Sequence, residues 1–305
     1  MYSNAPVRAK QNKAAFPQTF AALLARAAAA YGTRAAVLPC ASSGAKTYRQ
    51  LYTEYVYLCT ALLSMGLKGA RIALCGANGY AWLLAFLAAA TVGDAVPLDA
   101  QRAPAELRGA LRRVGARVLV ADGARFDVLR GPEDSMVCIR LDSGAMSVRG
   151  LVETGRELCE GGCRGFEKAA PDPESGVIVF PSRGEGAEDG VRLSQRAVCE
   201  NICGAAALFP IRPGQRVVPA LRFDTVFGFE IGLLLPLFCG ARLSVWSTPR
   251  EICRHLRKTR ADRLILSNEA LRRLHRRACV LAGRHLPERS RTRFGAACRR
   301  MCAQI

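Results

Sequence analysis

Short apolar segments alternate with amphipathic helical patterns along most of the chain, and this alternation limits the folds open to it. The apolar segments at 72–75, 95–98 and 117–121 are separated by helical patterns at 82–90 and 104–114. Strands buried on both faces read as continuous apolar runs, and their alternation with helices is typical of mostly parallel sheets covered on both sides. We therefore expect an α/β fold.

The helix that follows Thr47 has the clearest local signals. Thr47 can cap its first turn while Gln50 reaches back from the third position, which is the pattern of a capping box. Apolar residues then recur at helical spacing up to Met65, and Gly66 is expected to end the helix. The members of this stripe are Leu51, Tyr55, Leu58, Leu62 and Met65.

The strand and helix pattern weakens at 122–173, which holds one strand candidate at 136–141 and a charged, glycine-rich stretch at 153–168. A second α/β unit follows, with strands near 177–180, 216–220, 242–246 and 263–266 and helices near 195–208, 225–237 and 249–258. We therefore expect two related subdomains with mostly parallel sheets flanked by helices. The predicted divisions are an N-terminal extension (1–18), a first subdomain (19–173), a second subdomain (174–267) and an arginine-rich helical C-terminal segment (268–305).

The formal net charge is +19, and a positive field of this size attracts nucleic acid, anionic lipid and acidic partners. Only six of the 44 basic residues are lysines, so genomic base composition is an alternative source of the arginine excess. The segment after Ser267 is predicted to form a helix with apolar residues on one side and Arg272, Arg273, Arg276 and Arg277 on the other. Such a helix can bind an anionic membrane or a polyanion, or it can pack on the protein with a solvated basic face.

The cysteines and histidines predict no metal site. The 13 cysteines are odd in number, spread along the chain and mostly embedded in apolar segments, so we expect reduced thiols. Three pairs have a spacing that places both sulfurs on one helix face, but no complete ligand set accompanies them. These pairs are Cys159/Cys163, Cys199/Cys203 and Cys298/Cys302, and the three histidines are His255, His275 and His285.

The longest nearly uncharged apolar stretches, at 80–92 and 231–241, are shorter than the roughly 20 residues that cross a bilayer. The apolar run near the N-terminus is interrupted at Arg26, which argues against a secretory signal. We therefore expect a cytoplasmic protein.

An apolar strand at 175–180 leads into a glycine-rich loop at 181–194, which is the layout of a phosphate-binding loop. Such loops bind phosphate through backbone N–H groups, hydroxyls and a lysine, and glycines let the backbone approach closely. Here Glu185, Glu188 and Asp189 place negative charge where positive potential is needed. The alternative interpretation is an exposed turn between a strand and a helix.

The loop resembles the signature of adenylate-forming enzymes, the superfamily of acyl-CoA synthetases and related AMP-forming ligases. That signature has the form Thr-Ser-Gly-Thr-Thr-Gly-x-Pro-Lys-Gly-Val, and the matching positions are Ser182, Gly186, Gly190 and Val191. The departures fall on its reactive positions and comprise Pro181, Arg183, Gly184, Glu185, Glu188 and Asp189.

Other segments are similar to the same superfamily in the same order. Residues 71–78 resemble its "RVALxxxN" strand, and residues 221–228 resemble its "LPLFHVFG" segment. Two departures in the latter segment are Arg222 at the proline and Thr225 at the histidine. The matching segments are 19–31, 35–38, 47–65, 71–78, 80–99, 213–217, 221–228 and 235–243.

The resemblance implies ATP and Mg²⁺ as cofactors and a carboxylic acid, such as a fatty acid, with coenzyme A as substrates. It places Ser182, Arg183, Gly184, Glu185, Gly186, Asp189 and Gly190 at the triphosphate, and Thr225, Val226, Phe227 and Gly228 at the acyl side. Arg183 and Arg192 could offset part of the acidic charge, because arginine can bind phosphate with two hydrogen bonds.

The later elements of the superfamily, including its C-terminal domain with the catalytic lysine, have no counterpart up to Ile305. We therefore expect a truncated, degenerate domain that is inactive alone and contains no catalytic residue, unless a separate chain supplies the missing half. The alternative is a non-catalytic interaction protein that uses its basic C-terminal helix on an anionic membrane or nucleic acid.

Overall fold

The computed structural model describes residues 16–39, 44–129, 136–169, 171–179, 190–245, 260–272 and 276. Its strands are β1 (Ala35–Pro39), β2 (Lys46–Thr47), β3 (Arg71–Cys75), β4 (Asp94–Pro97), β5 (Val118–Ala121), β6 (Val137–Arg140), β7 (Gly176–Val179), β8 (Val191–Ser194), β9 (Arg216–Ala220), β10 (Arg242–Val245) and β11 (Arg263–Leu266).

The helices are α1 (Phe20–Tyr31), α2 (Tyr48–Ser64), α3 (Tyr80–Val92), α4 (Pro104–Arg113), α5 (Gly123–Leu129), α6 (Val148–Glu160), α7 (Gly165–Ala169), α8 (Gln195–Leu208), α9 (Val226–Phe229) and α10 (Leu235–Phe238), with a π-helical segment, Glu230–Leu234, between the last two. No helix in the described part of the chain is both long and apolar enough to cross a membrane. The predicted helix near 249–258 lies outside the described residues.

The strands form two sheets, and the predicted α/β fold is confirmed. Sheet A has the strand order β11-β9-β10-β1-β2, and sheet B has the order β6-β5-β3-β4-β7-β8. The pairs β1–β2 and β7–β8 are antiparallel, and all other pairs among the described strands are parallel.

Both sheets take strands from both halves of the chain. Strand β1 pairs with β10, where Val37 lies opposite Leu243, and β4 pairs with β7, where Ala95 lies opposite Val177. A cut between residues 173 and 174 would therefore divide both sheets.

Helix α2 forms where the capping pattern predicted it. The Thr47 side chain accepts a hydrogen bond from the Gln50 backbone N–H at 3.2 Å, and the Gln50 side chain accepts one from the Thr47 N–H at 2.9 Å. The helix ends at Ser64, with Met65 as its C-cap. The predicted apolar stripe is buried up to Leu62, which anchors α2 in the core.

Helix α3 lies at the centre of the hydrophobic core, because every residue from Trp82 to Val92 is buried. The Phe86 ring is 5.3 Å from the Trp82 ring and 5.3 Å from the Phe229 ring, measured between centroids. Phe20 of α1 is 6.2 Å away on the same basis. The core therefore joins helices from the beginning, middle and end of the described chain.

Helix α6 corrects the expectation of a weakly structured, glycine-rich stretch at 153–168. It packs closely against α2, since a Cβ built at Gly155 would lie 1.9 Å from the Tyr57 carbonyl oxygen. Glycine is required there for close approach of the two backbones. The glycine that weakens the local helical pattern is therefore the residue that allows the helices to pack.

Gln195, the first residue of α8, joins three other segments in the interior and is fully buried. Its side chain accepts a hydrogen bond from the Phe20 backbone N–H at 2.7 Å. It donates to the Ala90 carbonyl oxygen at 2.8 Å and to Ser175 Oγ at 2.6 Å. One amide therefore connects α1, α3 and the segment before β7.

Candidate functional site

The carboxyl ends of the parallel strands carry most of the polar residues that could form a site, and this is where open α/β sheets bind ligands. Asn78 follows β3 of sheet B, and its side chain contacts the loop after β9 of sheet A. It donates to the Leu221 carbonyl oxygen at 2.7 Å and accepts from the Phe223 N–H at 3.2 Å. The two sheets are therefore joined at their carboxyl edges.

Arg222 forms a second connection between the sheets. Its Nη2 lies 2.5 Å from Asp99 Oδ1, after β4, and 2.6 Å from Asp224 Oδ2, and its Nε donates to Asp224 Oδ1 at 3.0 Å. Burial raises the pKa of Asp224, and the hydrogen bond from Arg222 opposes that rise. The hydrogen bonds to Asp224 raise the pKa of Arg222. When ionised, the three side chains carry one negative charge in total.

A neighbouring pair lies after β5, where the Arg125 guanidinium contacts the Asp122 carboxylate. Arg125 Nε also donates to the Ala100 carbonyl oxygen at 3.4 Å. Burial raises the pKa of Cys75, at the end of β3, to about 12, although Arg125 acts in the opposite direction. Burial of Cys75 therefore disfavours the thiolate, which is the form in which cysteine acts as a nucleophile.

Thr225, at the predicted acyl side, caps helix α9. Its hydroxyl accepts a hydrogen bond from the Gly228 N–H at 3.1 Å and donates to the Arg222 carbonyl oxygen at 2.9 Å. Gly228 is required by this turn, since a Cβ there would lie 1.7 Å from the same carbonyl oxygen. Val226 and Phe227 are 37% and 53% exposed. The loop thus presents apolar side chains outward beside the Arg222 ion pairs.

The helix after this loop contains the π-helical segment, which has a local cause. The Leu235 N–H donates to the Glu230 carbonyl oxygen, five residues back. Pro236 follows, and proline has no N–H and clashes with the carbonyl group four residues before it. Proline at this position therefore explains the wider helical turn, which the sequence pattern did not reveal.

Glu230 is the buried acid of this segment, with 6% of the residue exposed. Its carboxylate accepts a hydrogen bond from Asn201 Nδ2 on α8. Burial raises the pKa of Glu230, and the Asn201 hydrogen bond acts against that rise. The charged form of Glu230 is therefore unfavourable in the folded protein.

We expect Glu230→Gln to stabilise the protein at about pH 7.5 and to have a smaller effect at about pH 4. A carboxyl group whose pKa is raised by folding stabilises the folded state when protonated, and that contribution is lost as the pH rises through the folded-state pKa. Glutamine keeps an acceptor for Asn201 and does not ionise. Urea unfolding at several pH values measures the effect, with Glu200→Gln on the exposed face of α8 as the matched control. A destabilised Glu230→Gln variant at neutral pH would contradict the prediction.

The predicted phosphate loop is described only at its ends. Val179 ends β7 and Val191 begins β8, and because these strands are antiparallel neighbours, both residues lie at the carboxyl edge of sheet B. Gly190 is exposed just before β8. The other predicted phosphate-loop positions lie outside the described residues, namely Ser182, Arg183, Gly184, Glu185, Gly186 and Asp189. The three histidines also lie outside them.

Arg192 does not provide the predicted compensation for the acidic loop. Its Nη2 pairs with Asp94 Oδ1 at 2.9 Å, and Asp94 is the first residue of β4, at the amino edge of sheet B. Asp94 Oδ1 also accepts a hydrogen bond from the Gly176 N–H at 3.1 Å. Arg192 is the second residue of β8, next to Val191 at the carboxyl edge, but its long side chain extends to Asp94 and is paired there.

The described residues of the carboxyl edge do not fit a triphosphate with its magnesium ion. Arg125 and Arg222 are both paired with aspartates, and the Thr225 hydroxyl is used in the helix cap. Across the residues that the structure describes, no group of three or more His, Cys, Asp or Glu side chains could hold a metal ion. The eight described cysteines are free thiols.

Solved structures with the same fold support the architecture. VinN aligns with a TM-score of 0.70 at 20% identity, over 88% of this chain and 65% of VinN. A long-chain-fatty-acid-CoA ligase (FadD1) from Archaeoglobus fulgidus aligns with a TM-score of 0.68 at 16% identity, over 81% of this chain and 51% of the ligase. O-succinylbenzoate coenzyme A synthetase (MenE) from Bacillus subtilis, in complex with ATP and magnesium ion, aligns with a TM-score of 0.61 at 15% identity, over 79% of this chain and 62% of the synthetase.

These likenesses establish the fold, and the chain spans about one half to two thirds of the length of these three proteins. Membership of a family rests on the sequence. The family model described as AMP-binding enzyme matches residues 24–302, which is most of the chain. The chain therefore belongs to the AMP-binding enzyme family.

Proposed function

We propose that this chain is an acyl-CoA synthetase-like, AMP-binding-type domain that does not activate a carboxylate on its own. Support for the reaction class comes from the family match and from the MenE complex with ATP and magnesium ion. Support for a carboxylic acid ligand comes from the fatty-acid ligase and from VinN, whose structure is known in complex with L-aspartate. Coenzyme A is the proposed acceptor of the acyl group. A cytoplasmic location of the protein stays a prediction.

The observation that carries the proposed loss of activity is that Arg125 and Arg222, two cations at the carboxyl edge, are already paired with aspartates. The sequence adds Glu185, Glu188 and Asp189 to the loop between β7 and β8. Two like unit charges 4 Å apart repel by about 1 kcal/mol in water and about 4 kcal/mol at an effective dielectric constant near 20. Several such repulsions are enough to remove micromolar affinity for a nucleotide.

The acyl side is the better preserved part of the proposed site. Val226 and Phe227 present exposed apolar side chains beside the Arg222 cluster. Thr225 replaces the family histidine, and its hydroxyl positions the loop through the cap of α9. The proposed ligand is therefore a carboxylic acid with an apolar tail, held by contacts that do not depend on the phosphate loop. A separate chain that supplies further family elements also remains a proposal.

We expect the full chain to bind Mg-ATP with a dissociation constant above about 50 µM. The physical reason is the acidic sequence of the loop, together with the pairing of Arg125 and Arg222 with aspartates at the carboxyl edge. Isothermal titration calorimetry with Mg-ATP provides the measurement, and titration with Mg²⁺ alone is the control for metal binding by the carboxylates. Tighter Mg-ATP binding would show that the site tolerates these charges, and the proposed loss of activity would then be wrong.

A further inference from the structure

Arginines mark the amino ends of the parallel strands of sheet A. Arg216, Arg242 and Arg263 are the first residues of β9, β10 and β11, and Arg34 immediately precedes β1. Parallel strands place their amino ends on the same edge, and neighbouring strands lie about 4.8 Å apart. Arg216 and Arg242 are direct partners in the register of β9 and β10. We call this edge, with Arg212 and Arg260 beside it, the basic edge: Arg34, Arg212, Arg216, Arg242, Arg260 and Arg263.

Little negative charge accompanies the basic edge. Arg216 Nε lies 4.0 Å from Asp262 Oδ2, which also accepts a hydrogen bond from the Arg216 backbone N–H at 2.7 Å. Within the described ranges, the other five arginines make no ion pair with a carboxylate. All of these five arginines are exposed, which leaves a local concentration of positive charge facing solvent.

Exposed apolar side chains lie next to this charge. Leu208 and Phe209, where α8 ends, are 76% and 61% exposed, and Leu264 of β11 is 38% exposed. Arg263 Nη2 donates to the Pro210 carbonyl oxygen at 3.4 Å, which places the segment after α8 against the start of β11. Grouped apolar residues bordered by charge mark an interaction surface, whereas single exposed apolar residues do not.

We propose that the basic edge, together with Leu208, Phe209 and Leu264, binds the surface of an anionic lipid membrane. Apolar side chains of peripheral proteins insert at the boundary between headgroups and acyl chains, while arginines bind the anionic headgroups. Leu208 and Leu264 favour lipid over single-stranded nucleic acid, because bases stack on aromatic side chains and not on aliphatic ones. The surface uses only described residues and includes no residue of the C-terminal segment 268–305.

The position of this surface is compatible with a ligand site at the carboxyl edge. Strand β9 begins with Arg216 at the basic edge and ends at Ala220, just before Arg222. Five residues in a strand span about 16 Å, so the two edges of sheet A are separated by about that distance. A membrane bound at the basic edge therefore leaves the carboxyl edge open to solvent.

Vesicle sedimentation of the full chain tests the proposal. We expect binding to phosphatidylcholine vesicles that contain about 30 mol% phosphatidylserine, and little binding to pure phosphatidylcholine. The paired variant Arg212→Gln with Arg242→Gln should weaken partitioning about 25-fold, since each arginine at an anionic surface contributes about fivefold. Leu208→Ser with Phe209→Ser should weaken it about tenfold or more, because two exposed apolar side chains lose their burial in lipid.

Two matched controls distinguish binding through this surface from binding caused by net charge or by the C-terminal segment. Arg112→Gln with Arg117→Gln removes the same charge from exposed positions at α4 and β5, and Arg272→Gln with Arg276→Gln removes it from the C-terminal segment. Both pairs should change partitioning less than about threefold. Thermal melts should be unchanged in all variants, because the substituted residues are exposed.

Three results would overturn the proposal. The first is an absence of binding to the phosphatidylserine vesicles. The second is an equal loss in the control pairs, which would assign the binding to net charge or to the C-terminal segment. The third is tighter binding to a short DNA duplex that does not depend on Leu208 and Phe209, which would identify the surface as a polyanion site.

Discussion

Replacement of Gln195 by leucine is expected to lower the free energy of unfolding by about 1–3 kcal/mol, because that is the cost of a buried polar group left without its partner. The substitution removes the Gln195 amide from the Phe20 N–H, the Ala90 carbonyl oxygen and Ser175 Oγ. Ser175 Oγ still donates to the Ala90 carbonyl oxygen at 3.2 Å, so of these groups the Phe20 N–H is the one that loses its partner. All three groups belong to the buried junction of α1, α3 and the segment before β7. Urea unfolding, followed by tryptophan fluorescence, measures the loss.

Gln215→Leu is the matched control for this prediction. Gln215 lies in the turn before β9 and is partly exposed, and its side-chain oxygen accepts a hydrogen bond from the Arg212 N–H at 2.9 Å. The same chemical change there should cost less than about 1 kcal/mol, as is usual for surface positions. If both variants lose the same free energy, or if Gln195→Leu loses less than the control, the amide does not hold the junction.

Restoration of the phosphate loop is expected to raise Mg-ATP affinity about a hundredfold or more, since each unit charge changes the interaction with a phosphate by about 1 kcal/mol or more at 4 Å. The triple variant Glu185→Thr, Glu188→Pro and Asp189→Lys returns three of the six departing positions to the family pattern and changes the charge of the loop from acidic to basic. Calorimetric titration with Mg-ATP, under the conditions used for the unmodified chain, gives the ratio of dissociation constants.

A control variant with the same change in net charge distinguishes the effect of charge in the loop from the effect of the net charge of the whole protein. Glu153→Gln, Glu157→Gln and Glu160→Lys lie on α6 and not at the carboxyl edge. These changes should alter affinity less than about threefold in physiological salt, because exposed charges more than about 8 Å away are largely screened. An unchanged affinity in the restored loop would show that the resemblance misplaces the loop, whereas an equal gain in the α6 variant would show that net charge alone governs binding.

The sequence correctly predicted those helices and strands whose stabilising contacts join residues only a few positions apart in the chain. The capping box at Thr47 and Gln50 forms as predicted, and β9 and β11 occupy the predicted residues. Helix α8 also has the predicted bounds, with Ser194 accepting a hydrogen bond from the Ala197 N–H at 3.2 Å. These signals are short-range hydrogen bonds and side-chain periodicity, so they are readable in a single sequence.

The sequence pattern did not identify the short antiparallel strands β2 and β8, or helix α6. Each depends on a distant partner, as when Gly155 lets α6 approach the backbone of α2. In the same way, the net charge and the arginine excess were evident from composition, but the grouping of six arginines at one edge of a sheet was not. The basic edge appears only when the parallel register of β1, β10, β9 and β11 brings their first residues together.

The candidate site also combines features that the sequence determined with features that only the tertiary structure decided. The acidic loop and the departures at Arg222 and Thr225 were determined by the sequence alone, because they are identities at known positions of a family pattern. Only the tertiary structure decided that Arg222 binds Asp99 and Asp224, that Arg192 turns away to Asp94, and that β1 lies beside β10. These contacts join residues far apart in the chain, and they form because burial of the apolar faces of two sheets brings their edges together.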